Sequence, residues 1–179
     1  MRPKGWYQMS ENTIRLSAGY NNCWPSVISS STFEVESEMI NKAMIGEVHE
    51  SIHEIAINQF KTYLNEVLDV PWSVYKSHKL TSWVNRYDNT EMEYHSHHGD
   101  HLSAIFYLVA KGGDIVFHDP RFFAARGYDK TFRPNFAPRV HTPKAGDLLV
   151  FPSFIYHTVR QSDQFRISVP VDLCLYMDD

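Results

Sequence analysis

The sequence predicts a single mainly β domain, a sandwich or barrel with one or two helices packed on one side. Apolar residues recur every three or four positions over residues 34–69, which is typical of an amphipathic helix. After Pro71 the period changes to two, and short β-branched and aromatic stretches alternate with turn residues. With 43% apolar residues, the 179-residue chain can fill one sizeable core. We therefore expect one domain over residues 1–179, with residues 1–71 as an amino-terminal segment and supporting helices and residues 72–179 as the β core.

Glycines and prolines that break helices or form turns refine this outline. Gly46 is a candidate break between two helices, and Pro71 ends the helical run. Residues 119–143 include Pro120, Gly127, Pro134 and Pro138 together with several aromatics, and we expect a long loop there. Strands are expected near residues 81–87, 92–98, 102–110, 114–118, 147–151, 155–160 and 165–175.

Composition argues against several classes of protein. The formal net charge is -4 with no basic run, so nucleic acid is not expected as the main partner. Cys23 and Cys174 are far apart and form no CxxC pair, which argues against a thiolate zinc site and indicates reduced thiols. No apolar run approaches the roughly 20 residues that span a bilayer, and the first residues lack a signal-peptide pattern. We expect a cytoplasmic protein.

Histidines suggest a metal site. His95 and His97 are two residues apart in a strand-like segment, where such residues share a face and can offer two imidazoles to one point. His157, in another strand-like segment, is the candidate third ligand, because a jelly roll can bring distant strands together. Three protein ligands on one face leave positions open for a bidentate cosubstrate and O2, as non-haem Fe(II) chemistry requires. Any single histidine is more often a solvated or core residue.

A candidate anion receptor follows nine residues after His157. Arg166 and Ser168 share a strand face in an apolar segment, where a buried guanidinium is costly unless it meets an anion. The planar guanidinium binds a carboxylate through two hydrogen bonds. The alternative is a structural ion pair, with Asp172 as the partner.

Several ordered blocks resemble one enzyme family. They are His95-Ser96-His97, Leu102-Ser103-Ala104 with Phe106-Tyr107-Leu108, Val116-Phe117-His118-Asp119-Pro120-Arg121, Gly146-Asp147-Leu148-Leu149-Val150-Phe151-Pro152-Ser153, and His157 with Arg166-Ile167-Ser168. Trp83-Val84-Asn85 and Trp24-Pro25 also look like family positions. With these blocks the chain resembles the prolyl-hydroxylase-like branch of the 2-oxoglutarate/Fe(II) oxygenases, and more narrowly a small 2OG-Fe(II) oxygenase family of bacteria and phages.

The resemblance implies a double-stranded β-helix (jelly roll, cupin-like) buttressed by one or two long helices. It implies a dioxygenase that uses Fe(II), 2-oxoglutarate and O2, with ascorbate as a candidate reductant. Such an enzyme would hydroxylate a peptide or protein side chain, or a small molecule, and release succinate and CO2. The implied roles are iron ligation by His95, His97 and His157, binding of the distal 2-oxoglutarate carboxylate by Arg166, Ser168 and Tyr107, and contact of Asn85 with cosubstrate or substrate.

The chain departs from the wider superfamily at one ligand. That superfamily usually has His-x-Asp or His-x-Glu, whereas His97 occupies the second position here. Loss of a carboxylate ligand should alter metal affinity and redox tuning. Asp100 lies close by in sequence and is an alternative ligand, although its spacing from His95 does not place it on the same strand face. Tyr107 is alternatively a plain core aromatic.

Two other functions stay open at this stage. One is a cupin-type metal protein that uses no 2-oxoglutarate. However, Phe154 occupies a position that is glycine in the second cupin motif, and no glutamate follows His97 at the expected spacing. A non-catalytic binding domain on the same barrel is the other. The loop at 119–143 and the polar amino-terminal stretch are candidate lids. A homodimer is expected, because two-fold symmetric dimers are the commonest assemblies of soluble proteins.

Overall fold

The computed structural model describes residues 26–88, 91–121, 126–131, 136–162 and 164–177. Within these ranges the protein is mainly β, with two helices and two antiparallel sheets, which confirms the predicted class. The helices are α1 (Ser37–Met44) and α2 (Glu50–Val67). The strands are β1 (Ser29–Thr32), β2 (Ser77–Ser82), β3 (Asn85–Tyr87), β4 (Met92–His95), β5 (Leu102–Val109), β6 (Ile115–Phe117), β7 (Arg139–His141), β8 (Asp147–Pro152), β9 (His157–Val159) and β10 (Arg166–Tyr176).

The helical stretch predicted over residues 34–69 forms two helices, with the break at Gly46 as expected. Gly46 adopts a φ of 85°, in the left-handed region that glycine enters without steric cost. The second helix begins after His49, whose ring accepts a hydrogen bond from the Ser51 N–H at 3.3 Å. Residues at three- and four-residue steps along α2 pack into the core beneath the larger sheet: Ile52, Ala56, Phe60, Tyr63 and Leu64.

The larger sheet has the strand order β1–β8–β5–β10–β2, and β3 pairs with the first residues of β10. The side chains of β10 alternate between its two faces. One set packs into the core shared with the helices: Ile167, Val169, Val171 and Leu173. The other set lines a cavity on the opposite face: Arg166, Ser168, Pro170 and Asp172. The polar residues of β10 are therefore all directed away from the helices.

The smaller sheet has the order β4–β9–β6–β7 and covers the cavity side of the larger sheet. A second hydrophobic core joins the two sheets, with Tyr107, Leu149 and Phe151 from the larger sheet packed against Ile115 and Phe117 of β6. The cavity thus lies between two antiparallel sheets, beside a packed apolar layer.

Each of the seven predicted strands corresponds to at least one observed strand, with shifted ends. The segment expected at 81–87 is divided between the end of β2 and β3, and the segment expected at 92–98 ends at His95. Two strands were not predicted. One is β1, which is made of polar serines and a threonine at the edge of the larger sheet, and the other is β7, three residues within the segment expected as a loop.

Some predictions lie outside the described residues. Trp24-Pro25 and Cys23 belong to that part of the chain, and residues 122–125 and 132–135 of the expected loop do as well. Neither helix in the described ranges combines the length and apolarity that a membrane crossing needs. The single domain over 1–179, with its division at residue 71, stays a prediction.

Truncation of Phe60 tests the packing of α2 on the larger sheet. Phe60 is fully buried, so Phe60→Ala should lower the free energy of unfolding by about 3–5 kcal/mol. Urea unfolding followed by circular dichroism measures this change. Glu54→Ala, on the exposed side of the same helix, should change it by less than about 0.5 kcal/mol. Equal effects of the two substitutions would contradict the packing described above.

Candidate metal centre

A cavity of about 560 Å³ lies between the two sheets and contains most of the residues singled out from the sequence. Its volume is within the range of about 300–1,000 Å³ that is usual for small-molecule sites. The walls come from both sheets and from the turn after β4. All seven residues assigned a metal or cosubstrate role line it: Asn85, His95, His97, Tyr107, His157, Arg166 and Ser168.

Three histidines converge at one end of this cavity. Ligand nitrogens of His95, His97 and His157 all lie within 4.8 Å of one another, close enough for one cation to bind all three. Their ring centroids are 4.3 to 5.4 Å apart. His157 is buried and begins β9, while His95 ends β4. These two residues are register partners across the smaller sheet.

His97 reaches the cluster by a route that differs from the predicted one. It lies beyond the end of β4, so it does not share a regular strand face with His95. Its position depends on a backbone hydrogen bond of 3.0 Å from the His97 N–H to the carbonyl of Ser153, which follows β8. Trp83 stacks on the imidazole, with ring centroids 5.7 Å apart and planes inclined by 23°.

The hydrogen bonds of the three rings leave the same nitrogen available on each. The Nδ1 of His95 lies 2.7 Å from the carbonyl of Glu93, and the Nδ1 of His157 lies 3.0 Å from the carbonyl of Ile155. The Nδ1 of His97 lies 2.7 Å from Asp172 Oδ2. Each partner is an acceptor, so in the neutral form of each ring Nδ1 carries the proton and Nε2 keeps its lone pair.

The residues fit a bound cation. Among the described residues, only two buried side-chain polar atoms have no hydrogen-bond partner, and one of them is the Nε2 of His97. A buried nitrogen without a hydrogen-bond partner destabilises the fold unless a ligand binds it, and a metal ion is a common ligand of a neutral imidazole. The pKa of His157 is lowered to about 4, chiefly by burial and to a smaller extent by His95 and His97, against the opposing effects of the Ile155 carbonyl and Asp172. This ring is therefore neutral, as ligation requires.

The second orphaned atom is the Nε of Arg166, at the first residue of β10. The Arg166 Nη1 donates a 2.8 Å hydrogen bond to the Gly113 carbonyl, and the guanidinium lies 4.5 Å from the ring centre of Tyr87 and 6.0 Å from that of Tyr107. Burial lowers the pKa of Arg166, yet a guanidinium stays protonated in proteins. Within the described ranges no carboxylate pairs with it. The arrangement is a buried cation with donor capacity left for an anion.

Three hydroxyl or amide side chains lie near Arg166, one on β10 itself and one on each of its neighbours β3 and β5. Ser168 is the register partner of Asn85 in β3 and of Tyr107 in β5, so the three lie in a row across the sheet. Burial raises the pKa of the Tyr107 hydroxyl, which keeps it a neutral donor. The site residues proposed around the arginine are therefore together in the structure, although Tyr107 is also part of the core between the sheets.

The two candidate carboxylates, Asp100 and Asp172, lie at different points of the cavity. Asp100 lines the cavity, but the group of converging donors contains His97 and not Asp100. Burial, and then the neighbouring Asp172, raises the pKa of Asp100. Asp172, the suggested ion-pair partner of Arg166, is bonded instead to His97 and to Ser103, whose hydroxyl donates to Asp172 Oδ1 at 2.6 Å.

The sequence did not predict the contact of Tyr87 with Arg166, nor a cluster of Tyr94, Tyr156 and His118 beside the cavity, here called the aromatic rim. Tyr87 follows Asn85 by two residues in β3, so the strand period could have placed it on the same face. Tyr94 and Tyr156 stack with ring centroids 4.6 Å apart, and His118 meets the Tyr94 ring edge-on at 4.9 Å. No local sequence pattern predicts this rim, because Tyr94 lies in β4 and Tyr156 directly precedes β9, and these two strands pair only in the folded sheet.

Comparisons with known proteins agree with the geometry. A family profile described as "Putative 2OG-Fe(II) oxygenase" matches residues 81–172, which is more than half of the chain. No curated protein matches the chain.

Solved structures that resemble this one include a 2OG-Fe(II) oxygenase family oxidoreductase from Burkholderia pseudomallei. It is 16% identical over 64% of this chain and 51% of that chain, with a TM-score of 0.46. A prolyl-4-hydroxylase from Pseudomonas putida is 18% identical over 69% of this chain and 63% of that chain, with a TM-score of 0.46. HygX from Streptomyces hygroscopicus, solved with nickel and 2-oxoglutarate bound, is 11% identical over 54% of this chain and 57% of that chain, with a TM-score of 0.40. The matched region thus spans between half and two thirds of these proteins.

Binding of a divalent cation by the three histidines should stabilise the fold. At a Mn(II) concentration of about 100 times Kd, mass action adds about 2.7 kcal/mol to the free energy of unfolding. Thermal unfolding with and without Mn(II) measures the effect. His157→Ala should abolish most of the shift, whereas His98→Ala, which removes a neighbouring histidine outside the cluster, should keep it. A shift of wild-type size in His157→Ala would contradict the site.

Proposed function

The chain belongs to the family described as "Putative 2OG-Fe(II) oxygenase", and from that premise we propose that it is an Fe(II)- and 2-oxoglutarate-dependent dioxygenase. In this proposal it hydroxylates a peptide side chain or a small molecule and releases succinate and CO2. The observation that carries it is one cavity shared by three imidazoles and a buried guanidinium that has no carboxylate partner in the described ranges. We also propose that the two sheets form the two layers of a double-stranded β-helix, or jelly roll.

His95, His97 and His157 would hold the iron through their Nε2 atoms. When bound, Fe(II) supplies the centre that chelates the keto acid and activates O2. The protein contributes fixed ring orientations, because each Nδ1 is held by an acceptor that leaves the Nε2 directed into the cavity. Three ligands from one side leave the remaining coordination positions open to the cosubstrate.

Arg166 would bind the distal carboxylate of 2-oxoglutarate. Its Nη1 donates to the Gly113 carbonyl and its Cζ lies over the Tyr87 ring, and these two contacts restrict the orientation of the guanidinium. Ser168 and Tyr107 are placed to add hydroxyl donors, and Asn85 an amide. A charge-assisted pair in such a buried site is stronger than the same pair in water.

The shared cavity also separates this proposal from a cupin-type site. A metal protein that uses no 2-oxoglutarate has no need of an anion receptor, and its arginine would have no reason to face the metal ligands. Arg166 lines the same cavity as the three histidines. The arrangement therefore supports a dicarboxylate cosubstrate over metal binding alone.

The aromatic rim is the candidate contact for the prime substrate. Tyr94 is 55% exposed even though it stacks on Tyr156, and both adjoin the turn that carries His97. Exposed tyrosines present large, rigid surfaces to a ligand at low entropic cost. A planar or apolar group of the substrate would stack there while the group to be oxidised enters the cavity.

Turnover of 2-oxoglutarate tests the proposal directly. With Fe(II), 2-oxoglutarate and ascorbate, the wild type should form succinate slowly even without prime substrate. His157→Ala should abolish this turnover because a metal ligand is lost. Arg166→Ala should weaken 2-oxoglutarate binding by a factor of roughly 30 or more, corresponding to a lost charge pair of about 2–5 kcal/mol.

A matched arginine provides the control. Arg86 precedes Tyr87 on β3 and donates to the Met44 carbonyl on the helix side of the sheet, away from the cavity. Arg86→Ala should therefore keep the wild-type rate of succinate formation. Equal rates in the wild type, His157→Ala and Arg166→Ala would reject the proposed function.

Gly113→Ala tests how Arg166 is held. A Cβ at Gly113 would lie 2.9 Å from the Arg166 Nη1, and its φ of 79° is unfavourable for alanine. We expect a higher KM for 2-oxoglutarate together with a stability loss of about 1–2 kcal/mol. Gly46→Ala is the matched control, since Gly46 has a φ of 85° but open space around it. It should lose similar stability and keep the KM; a raised KM in both variants would indicate a general folding defect.

A further inference from the structure

Three buried polar residues near the iron site have no part in the function proposed above. Ser103 and Ser153 belong to two of the sequence blocks that resemble the family, and both are fully buried. Asp172 is 4% exposed and lies on β10, on the same face as Arg166. Buried polar groups are costly unless they are fully paired, and these three are paired with one another and with His97.

Ser103, Ser153, Asp172 and His97 form a closed ring of hydrogen bonds. The Ser153 hydroxyl lies 2.9 Å from that of Ser103, and Ser103 lies 2.6 Å from Asp172 Oδ1. Asp172 Oδ2 lies 2.7 Å from the Nδ1 of His97. The His97 N–H returns to the Ser153 carbonyl at 3.0 Å. The ring thus connects β5, β10, the end of β8 and the turn after β4.

The chemistry of these groups fixes the direction of each hydrogen bond. A carboxylate only accepts, so Ser103 must donate its single hydroxyl hydrogen to Asp172. Ser103 must then accept from Ser153. By the same argument the Nδ1 of His97 donates to Asp172. In the neutral ring, the Nε2 of His97 therefore keeps its lone pair; it has no partner among the described residues and lies in the cluster of histidines.

We propose that Asp172 is the positioning residue of this metal centre and supplies, through His97, the negative charge that a directly bound carboxylate gives in a site with two histidines and one carboxylate. Ser103 and Ser153 hold its carboxylate in place. This inference rests on the proposed function for the identity of the metal. It concerns only how His97 is prepared to bind it.

Charge balance is the physical reason for the arrangement. Three neutral imidazoles leave a bound divalent cation with its full charge, whereas the usual carboxylate ligand reduces it. A carboxylate hydrogen-bonded to a ligating imidazole raises the basicity of that ring and fixes its tautomer. With Asp172 included, the iron site has the same total charge as a site with two histidines and one carboxylate. The negative charge lies one hydrogen bond further from the metal.

The tautomer of His97 is the first test and needs no metal. Long-range ¹H–¹⁵N spectra of the metal-free wild type, at a pH where the imidazoles are neutral, should show His97 with its proton on Nδ1. In Asp172→Asn that exclusive preference should be lost, because an amide can donate as well as accept. A wild-type His97 protonated on Nε2 would overturn the inference, even if every variant failed to fold.

Metal affinity is the second test. Calorimetry with Mn(II) should give a Kd for Asp172→Asn that is weaker by about 10–100-fold, the usual effect of losing such a partner. Asp172→Glu keeps the carboxylate and should recover part of the affinity. Asp147→Asn is the matched control: Asp147 is also a buried aspartate beside a histidine, 3.2 Å from His141, but it contacts none of the three cluster histidines. It should bind Mn(II) as the wild type does.

The outcomes separate this inference from the proposed function. Wild-type Mn(II) affinity in Asp172→Asn would overturn the positioning role and leave the metal site standing. Equally weakened Mn(II) binding in Asp172→Asn and Asp147→Asn would indicate a general loss of stability and would also overturn the positioning role. A wild type that binds no Mn(II) but keeps the Nδ1–H tautomer of His97 would instead reject the proposed function.

Discussion

The antiparallel pairing of β10 with β5 is the constraint on which the site depends. It aligns Ser168 with Tyr107 and Asp172 with Ser103, while β3 adds Asn85 beside Ser168. Because side chains alternate along a strand, the same pairing sends the apolar residues of β10 to the helices and its polar residues to the cavity. A slip of one residue would put the guanidinium into the apolar core, so burial on the helix side enforces the register of the site.

The two ends of this strand face carry opposite charges. Arg166 begins β10, and Asp172 lies six positions later on the same face. In the proposed function this polarity orients a dicarboxylate, whose distal end is attracted to Arg166 and repelled from Asp172. The histidine cluster stands beside the acidic end, where the carboxylate accepts from the Nδ1 of His97. One strand thus contributes to both the proposed anion receptor and the proposed metal centre, and each depends on the same sheet.

Local patterns predicted what local physics controls. The apolar period of α2, the break at Gly46 and the alternation along β10 depend on neighbours within a few residues, and the structure agrees with them. β1 was missed because its polar sequence carries no apolar alternation, and it pairs as an edge strand with β8, over a hundred residues away in sequence. The predicted strand at 92–98 was too long, because the His97 N–H bonds to the carbonyl of Ser153, just beyond the end of β8, and β4 does not continue to His97.

The sequence by itself determined the class of the fold and the family resemblance. It also identified the chemical groups of the site, because the spacing of three histidines and one arginine on strand-like segments can be seen directly in the sequence. Only the tertiary structure decided how those groups are partnered. Asp172 was a candidate partner for Arg166, six residues away, yet it bonds to His97, which is 75 residues distant in sequence. The physical reason is that hydrogen bonds between side chains act over about 3 Å, and which groups come that close is settled by strand register and sheet packing that no local pattern records.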